Sequence, residues 1–192
     1  MLKSADILDA WRQAEAFWWT EIRQYDGECR RRFISSVVLA SEGALDAWMS
    51  DPEGGIALII LLDPLPRRVY RGLPLAYATD PKARSICRSM LRTSAWSALP
   101  LWQQLWLHQP LANSEKLEDQ QQALDFFQAT HASLTVENPE RQRVDRFLVR
   151  SLESVFLIRR FNRFPQRNSI LGRKTRIEES VYLAGQTGIL EL

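Results

Sequence analysis

Asp51-Pro52-Glu53-Gly54-Gly55-Ile56-Ala57-Leu58-Ile59-Ile60-Leu61-Leu62-Asp63-Pro64-Leu65-Pro66 carries its own boundaries. Asp51 puts a capping carboxylate just before a proline at the first helical position, where the missing N–H costs nothing. Asp63-Pro64-Leu65-Pro66 stops the segment, since the residue before a proline is pushed out of the helical region. Between these signals Ile56 to Leu62 is apolar on every side, which suits a central helix enclosed by others.

Helical punctuation continues in both directions, while alternating strand patterns and hairpin dipeptides are missing. Ser4 is a cap for a helix carrying Ile7, Leu8, Trp11 and Phe17-Trp18-Trp19. Asp26 is read as the cap of the next, which runs through Phe33, Val37 and Val38 to a break at Glu42-Gly43. Asp80-Pro81 repeats the Asp-Pro start signal. A further helix runs from Pro100 through Leu101, Trp102, Leu105, Trp106 and His108 to Pro110. Asn113 or Ser114 then caps one bearing Leu117, Leu124 and Phe127. Asn138-Pro139 opens a long amphipathic helix, whose Val144, Phe147, Leu148, Ser151, Leu152, Val155 and Ile158 keep the helical period. Thr175-Arg176-Ile177-Glu178 reads as a capping box for a last short helix ending at Gly185. The expected architecture is all-α, a single helical domain over residues 1–192.

The composition bounds the function. Hydrophobic residues make up 45% and charged residues 25%, so the chain is of the globular class. A net charge of +2 supplies no field that would gather nucleic acid or anionic lipid, and neither is expected as a partner. The start Met1-Leu2-Lys3-Ser4-Ala5-Asp6 has no apolar signal core, and Ile56 to Leu62 is too short to span a bilayer, which points to the cytoplasm. Cys29 and Cys87 have no CxxC spacing and no nearby histidine partner, so they read as reduced buried thiols. No metal and no cofactor is expected, because the phosphate-cradling glycine motifs are also absent. Seven tryptophans imply a thick core or a partly exposed aromatic surface. Lys3, Lys82, Lys116 and Lys174 are the only lysines among 25 basic residues; arginine dominates, and its planar fork suits fixed bidentate pairing.

Three segments in order carry a resemblance: Asp63-Pro64-Leu65-Pro66-Arg67-Arg68-Val69-Tyr70-Arg71-Gly72, then Asn113-Ser114-Glu115, then Arg160-Phe161-Asn162-Arg163-Phe164-Pro165-Gln166-Arg167-Asn168-Ser169-Ile170-Leu171-Gly172-Arg173. Together they resemble the bacterial family called domain of unknown function 924, whose members read D-Q-F-P-R-N and R-G, then H-S-E, then F-G-R-F-P-H-R-N and L-G-R. Ile7-Leu8-Asp9, Leu45-Asp46-Ala47-Trp48 and the run from Leu58 to Asp63 extend the likeness over most of the chain. The resemblance implies a curved array or bundle of helical hairpins of the tetratricopeptide type, with a groove. Against the family pattern, Asn113, Gln166 and Ser154 stand where histidines are usual, and Pro64 and Arg68 replace a Gln and an Asn. The acids and arginines are kept, while the groups that titrate near neutrality are not.

The candidate site residues are therefore Asp63, Arg67, Arg71, Ser114, Glu115, Arg163, Arg167, Asn168 and Arg173. The five arginines sit in loops or helix ends between prolines and glycines, and convergence of two such loops would form an anion pocket. The same arginines could instead pair with Asp63 and Glu115 and cap helix carbonyls, with an arginine of the late motif as the natural partner of Asp63. Ser114 has no histidine to activate it, and His108 and His131 offer no triad. Trp96, Trp102 and Trp106 either pack the core or line a groove. Retained arginines beside lost imidazoles favour a non-enzymatic binding module that recognises an anionic small molecule or peptide. A hydrolase- or transferase-like enzyme using Asp63 and Glu115 as acid–base groups is the competing reading. A purely structural interaction module is the third, and the oligomeric state is left open.

Overall fold

The computed structural model describes residues 3–19 and 23–186, and among them every regular element is helical. In chain order these are α1 (Ser4–Gln13), α2 (Arg23–Ser41), α3 (Pro52–Leu62), α4 (Pro64–Val69), α5 (Asp80–Leu91), α6 (Leu101–Ala112), α7 (Leu117–Ser133), α8 (Arg141–Phe161) and α9 (Ile177–Gln186), with short 3-10 turns between some of them. No described helix is long and apolar enough to cross a membrane.

α3 is the hub that its composition predicts. Asp51 Oδ1 accepts the Gly54 N–H at 2.8 Å, Pro52 fills the first position, and every residue from Ile56 to Leu62 is 0% exposed. α1, α2, α4, α5 and α6 all pack on it. α6 also packs on α7 and α7 on α8, extending the layer away from the hub. A smaller core of Leu157, Ile158, Phe161 and Phe164, with Tyr182 of α9 against it, closes the far end of α8. Cys29 and Cys87 are buried free thiols.

Several local start signals give way to longer-range bonds. α1 begins at Ser4 itself, and Asp6 receives the Lys3 N–H at 2.9 Å. Asp26 lies inside α2, where its carboxylate pairs with Arg68 and Arg71 of the α4 region. Asp80 caps nothing, because Arg67 takes both its oxygens at 3.0 and 3.1 Å. Pro110 sits within α6, which continues to Ala112 because only one backbone donor is lost near the helix end. Ser114 precedes α7 and bonds Asp119 at 2.6 Å. The acid that receives a backbone N–H at the start of α9 is Glu179, from Arg176 at 2.7 Å, one residue later than the Thr175–Glu178 box would have it. α8 starts at Arg141, after Asn138 Oδ1 has accepted the Glu140 N–H.

Aromatic side chains from α1, α6, α7, α8 and the turn after α1 form one connected cluster. Trp106 packs against Trp11, Trp18, Trp19 and Phe147. His108 lies face to face with Phe126, their centroids 3.6 Å apart. Its Nδ1 is 2.9 Å from the Gln104 carbonyl, so the neutral ring carries its proton there. Burial pushes His108 down to about 4. The unfolded chain therefore takes up this proton first as pH falls, and the contribution of His108 to stability drops through a window from about 6.5 to about 4. His108→Phe is expected to lack that drop, so the stability difference between the two proteins shifts by about 3 kcal/mol across the window. Urea unfolding at several pH values measures it, and parallel curves for the two proteins would contradict the assignment.

Candidate functional site

The late arginine motif is anchored before it offers anything to a ligand. Asn162 ends α8 in the left-handed region (φ 57°), turning the chain back so that Phe164 meets the loop between α6 and α7. Glu115 of that loop accepts the Phe164 N–H at 2.7 Å and both arms of Arg173 at 2.7 and 3.0 Å. Burial raises the Glu115 carboxyl, but these donors outweigh it and leave it below the usual range. Glu179, fully buried, accepts Arg163 twice at 2.6 Å, Asn168 Nδ2 at 3.1 Å and the Arg176 N–H. The hydrogen bonds from Arg163 hold Glu179 down to about 2. Arg163, Arg173, Asn168 and Glu115 thus act as fastenings for the turn, and the late arginine that pairs with an acid of the α6–α7 loop is Arg173. Asp63 has a different set of partners, described below, so its expected late-motif arginine is replaced by Asn113 and Arg67.

What the fastenings position is Arg167. Its guanidinium carbon lies 4.9 Å from the centre of the Tyr77 ring and 4.2 Å from that of Phe164, a stack between two aromatic faces. It is 9% exposed, and its side chain makes no hydrogen bond among the described residues. Its ionic contact is with Asp80, 3.7 Å away and already occupied by Arg67. Burial and the neighbouring charge of Arg67 push Arg167 down to about 10. The side chain lines a groove of about 370 Å³ together with Arg84, Lys116, Ser114 and Glu115. Arg84 likewise makes no hydrogen bond among the described residues, and its Nε stands 3.6 Å from Asp119, which Ser114 and Arg88 already engage.

A second concavity, of about 280 Å³, adjoins the first, and Tyr77 and Asn113 line both. Its walls are tryptophans of α1, α6 and the turn after α1, and Arg67, Arg68, Arg71 and Arg150 surround it. Arg68 and Arg71 share Asp26, and Arg68 also donates to the Phe17 and Trp18 carbonyls at 2.7 and 2.9 Å. Asp63, at the junction of α3 and α4, is 1% exposed. Its Oδ1 accepts Asn113 Nδ2 at 2.7 Å and lies 3.6 Å from Arg67, while its Oδ2 has no partner among the described residues. Burial lifts this carboxyl to about 6, against the opposing pull of Arg67. Trp11 and Trp106, which line this concavity, each have a buried Nε1 with no partner among the described residues.

The structure therefore divides the sequence candidates. Arg167, Ser114 and Glu115 meet at the groove, Asp63, Arg67 and Arg71 face the cleft, and Arg163, Asn168 and Arg173 build the turn. Glu115, with both oxygens taken, is not a free base beside Asp63. Sequence reasoning missed Tyr77, Asp80, Arg84, Arg150 and Trp11 as lining residues, while Trp106, weighed as either core or groove wall, is both. Asp80 carries a visible signal, but a local reading accounts for it as a helix cap.

A family model described as a bacterial protein of unknown function (DUF924) matches residues 7–187. The chain is also similar to the solved structure of a protein of unknown function from Agrobacterium tumefaciens, at 31% identity and a TM-score of 0.82, over 95% of this chain and 97% of that one. None of the curated proteins compared with it is significantly similar.

Proposed function

The chain belongs to the bacterial DUF924 family, and from that premise we propose that it is a helical binding protein for a small molecule held by an anionic group against Arg167. The observation that carries this reading is a guanidinium nine-tenths buried, stacked between Tyr77 and Phe164, with no hydrogen bond of its own among the described residues. Its nitrogens are not among the fully buried polar atoms that lack a partner, so the donors open onto the groove and are available to a ligand there. An oxyanion in the groove would satisfy the fork and relieve the repulsion from Arg67, and stacking has already fixed the ring plane so that little freedom is lost on binding. Arg84 and Lys116 supply further positive charge, which suits a dianionic phosphate better than a carboxylate.

Binding, and not turnover, is favoured by Asn113. An amide bonded to Asp63 cannot carry a proton to or from a ligand near neutrality, as an imidazole at that position could. Isothermal calorimetry with inorganic phosphate tests the reading. Wild type is expected to bind it, and Arg167→Ala to weaken binding at least tenfold. Arg167→Lys, which keeps the charge but loses the fork and the stack, is expected to recover only part of the affinity. Unchanged affinity in Arg167→Ala, with an unchanged circular dichroism spectrum, would exclude this site.

A further inference from the structure

The groove and the tryptophan cleft have adjoining floors. Asp63 Oδ1 lies 3.6 Å from Arg67 Nη1, Arg67 Nη1 is 3.0 Å from Asp80 Oδ1, and Asp80 Oδ2 is 3.7 Å from Arg167 Nη1. Tyr77 and Asn113 form the wall common to both cavities. Resting on the reading of Arg167 above, we infer that the two cavities are one bipartite site, and that its ligand is a phosphorylated polyol or sugar whose hydroxyl-bearing body enters the cleft and hydrogen-bonds to Asp63.

The argument is one of elimination among group types. A cationic group in the cleft would face Arg67, Arg68, Arg71 and Arg150. A second anion would face the buried Asp63 carboxylate. An apolar group would offer no partner to Asp63 Oδ2, Trp11 Nε1 or Trp106 Nε1, buried atoms of cleft-lining residues that have none among the described residues. A hydroxyl donates and accepts through one small neutral group, so it serves an unpartnered carboxylate oxygen beside unpartnered N–H groups. The tryptophan walls add flat apolar faces against which the C–H surface of a sugar ring can pack. Asn113, held by Asp63 and open to both cavities, sits where the phosphate end and the hydroxyl end would join.

Calorimetry on the full chain with inorganic phosphate, ribose 5-phosphate, glucose 6-phosphate, glycerol 3-phosphate and free ribose tests this. At least one phosphorylated polyol is expected to bind tenfold or more tightly than phosphate, and free ribose to bind far more weakly than any of them. Asp63→Asn, with its fold checked by circular dichroism, is expected to remove most of that increment while leaving phosphate affinity intact, whereas Arg167→Ala lowers the affinity of every phosphorylated compound. If no polyol phosphate exceeds phosphate, or if the increment survives Asp63→Asn, the bipartite site is wrong while the Arg167 reading stands. If phosphate and its esters all fail to bind, both readings fall.

Discussion

Gly54→Ala is expected to destabilise the protein by on the order of 4 kcal/mol, a large part of the usual stability of a domain. Gly54 is in the first turn of α3, where the 3-10 turn of Asp46–Ser50 crosses it at backbone distance. A Cβ placed there would lie 2.0 Å from the Trp48 carbonyl oxygen and 2.9 Å from its carbon. The obstacle is backbone and not the tip of a flexible side chain, so relief requires the turn to move off the helix. That movement would strain the Asp51 cap on the Gly54 N–H, worth about 1 kcal/mol, and would loosen Trp48 from the core. Overpacking itself typically adds about 1–3 kcal/mol. Gly27, in the interior of α2, is the control: a Cβ there meets Arg31 at an ordinary 3.8 Å, and alanine is expected to stabilise by about 0.5–1 kcal/mol through helix propensity. Thermal and urea unfolding of the two variants measure the contrast, and a Gly54→Ala protein as stable as wild type would show that the turn does not bear on α3.

The same stretch shows what a sequence can and cannot disclose. A run apolar on all faces between two Asp-Pro signals has few other uses than the centre of a helical protein, so α3 and its role as hub were readable from Asp51 to Pro66 alone. The motifs around Arg67, Glu115 and Arg167 were readable as a set, because arginines flanked by proline and glycine are poor choices for free surface. What each arginine touches was not. Asp80 and Asp26 look like helix caps to a local reading, yet a guanidinium arriving from elsewhere in the chain outbids a backbone N–H for each carboxylate. Arg163, Arg167 and Arg173 share one short segment and one flanking chemistry. One bonds Glu179, one Glu115, and the third is left stacked on Tyr77, ninety positions upstream, without a hydrogen bond. Such a division depends on which side of a turn each residue faces, and the left-handed Asn162 decides that.

Asp63→Asn is expected to gain stability relative to wild type as pH rises, by about 3 kcal/mol between about pH 4 and about pH 7. The sign follows from the carboxyl's raised position, from 3.8 to about 6, which burial imposes and Arg67 only partly opposes. Between those values the folded protein keeps a proton that the unfolded chain has released, so the stability contribution of Asp63 is present at low pH and is lost as pH rises through about 6. Asparagine has the same shape, can still accept from Asn113, and carries no charge to bury. It leaves an amide N–H unbonded in place of Oδ2 and removes one of the charges near Arg67, so at about pH 4 the variant is expected to be no more stable than wild type. His108 titrates with the opposite slope over nearly the same range. In the wild-type protein the two effects offset, and the Asp63→Asn variant is where the slope due to His108 becomes visible. A carboxylate kept for structure would give the reverse result, since removing a well-paired acid destabilises at neutral pH. Equal loss of stability at all pH values in Asp63→Asn would therefore mean that the protein needs this charge to fold. A gain confined to neutral pH means that the charge is kept at a cost, as expected of a group held in place for a ligand.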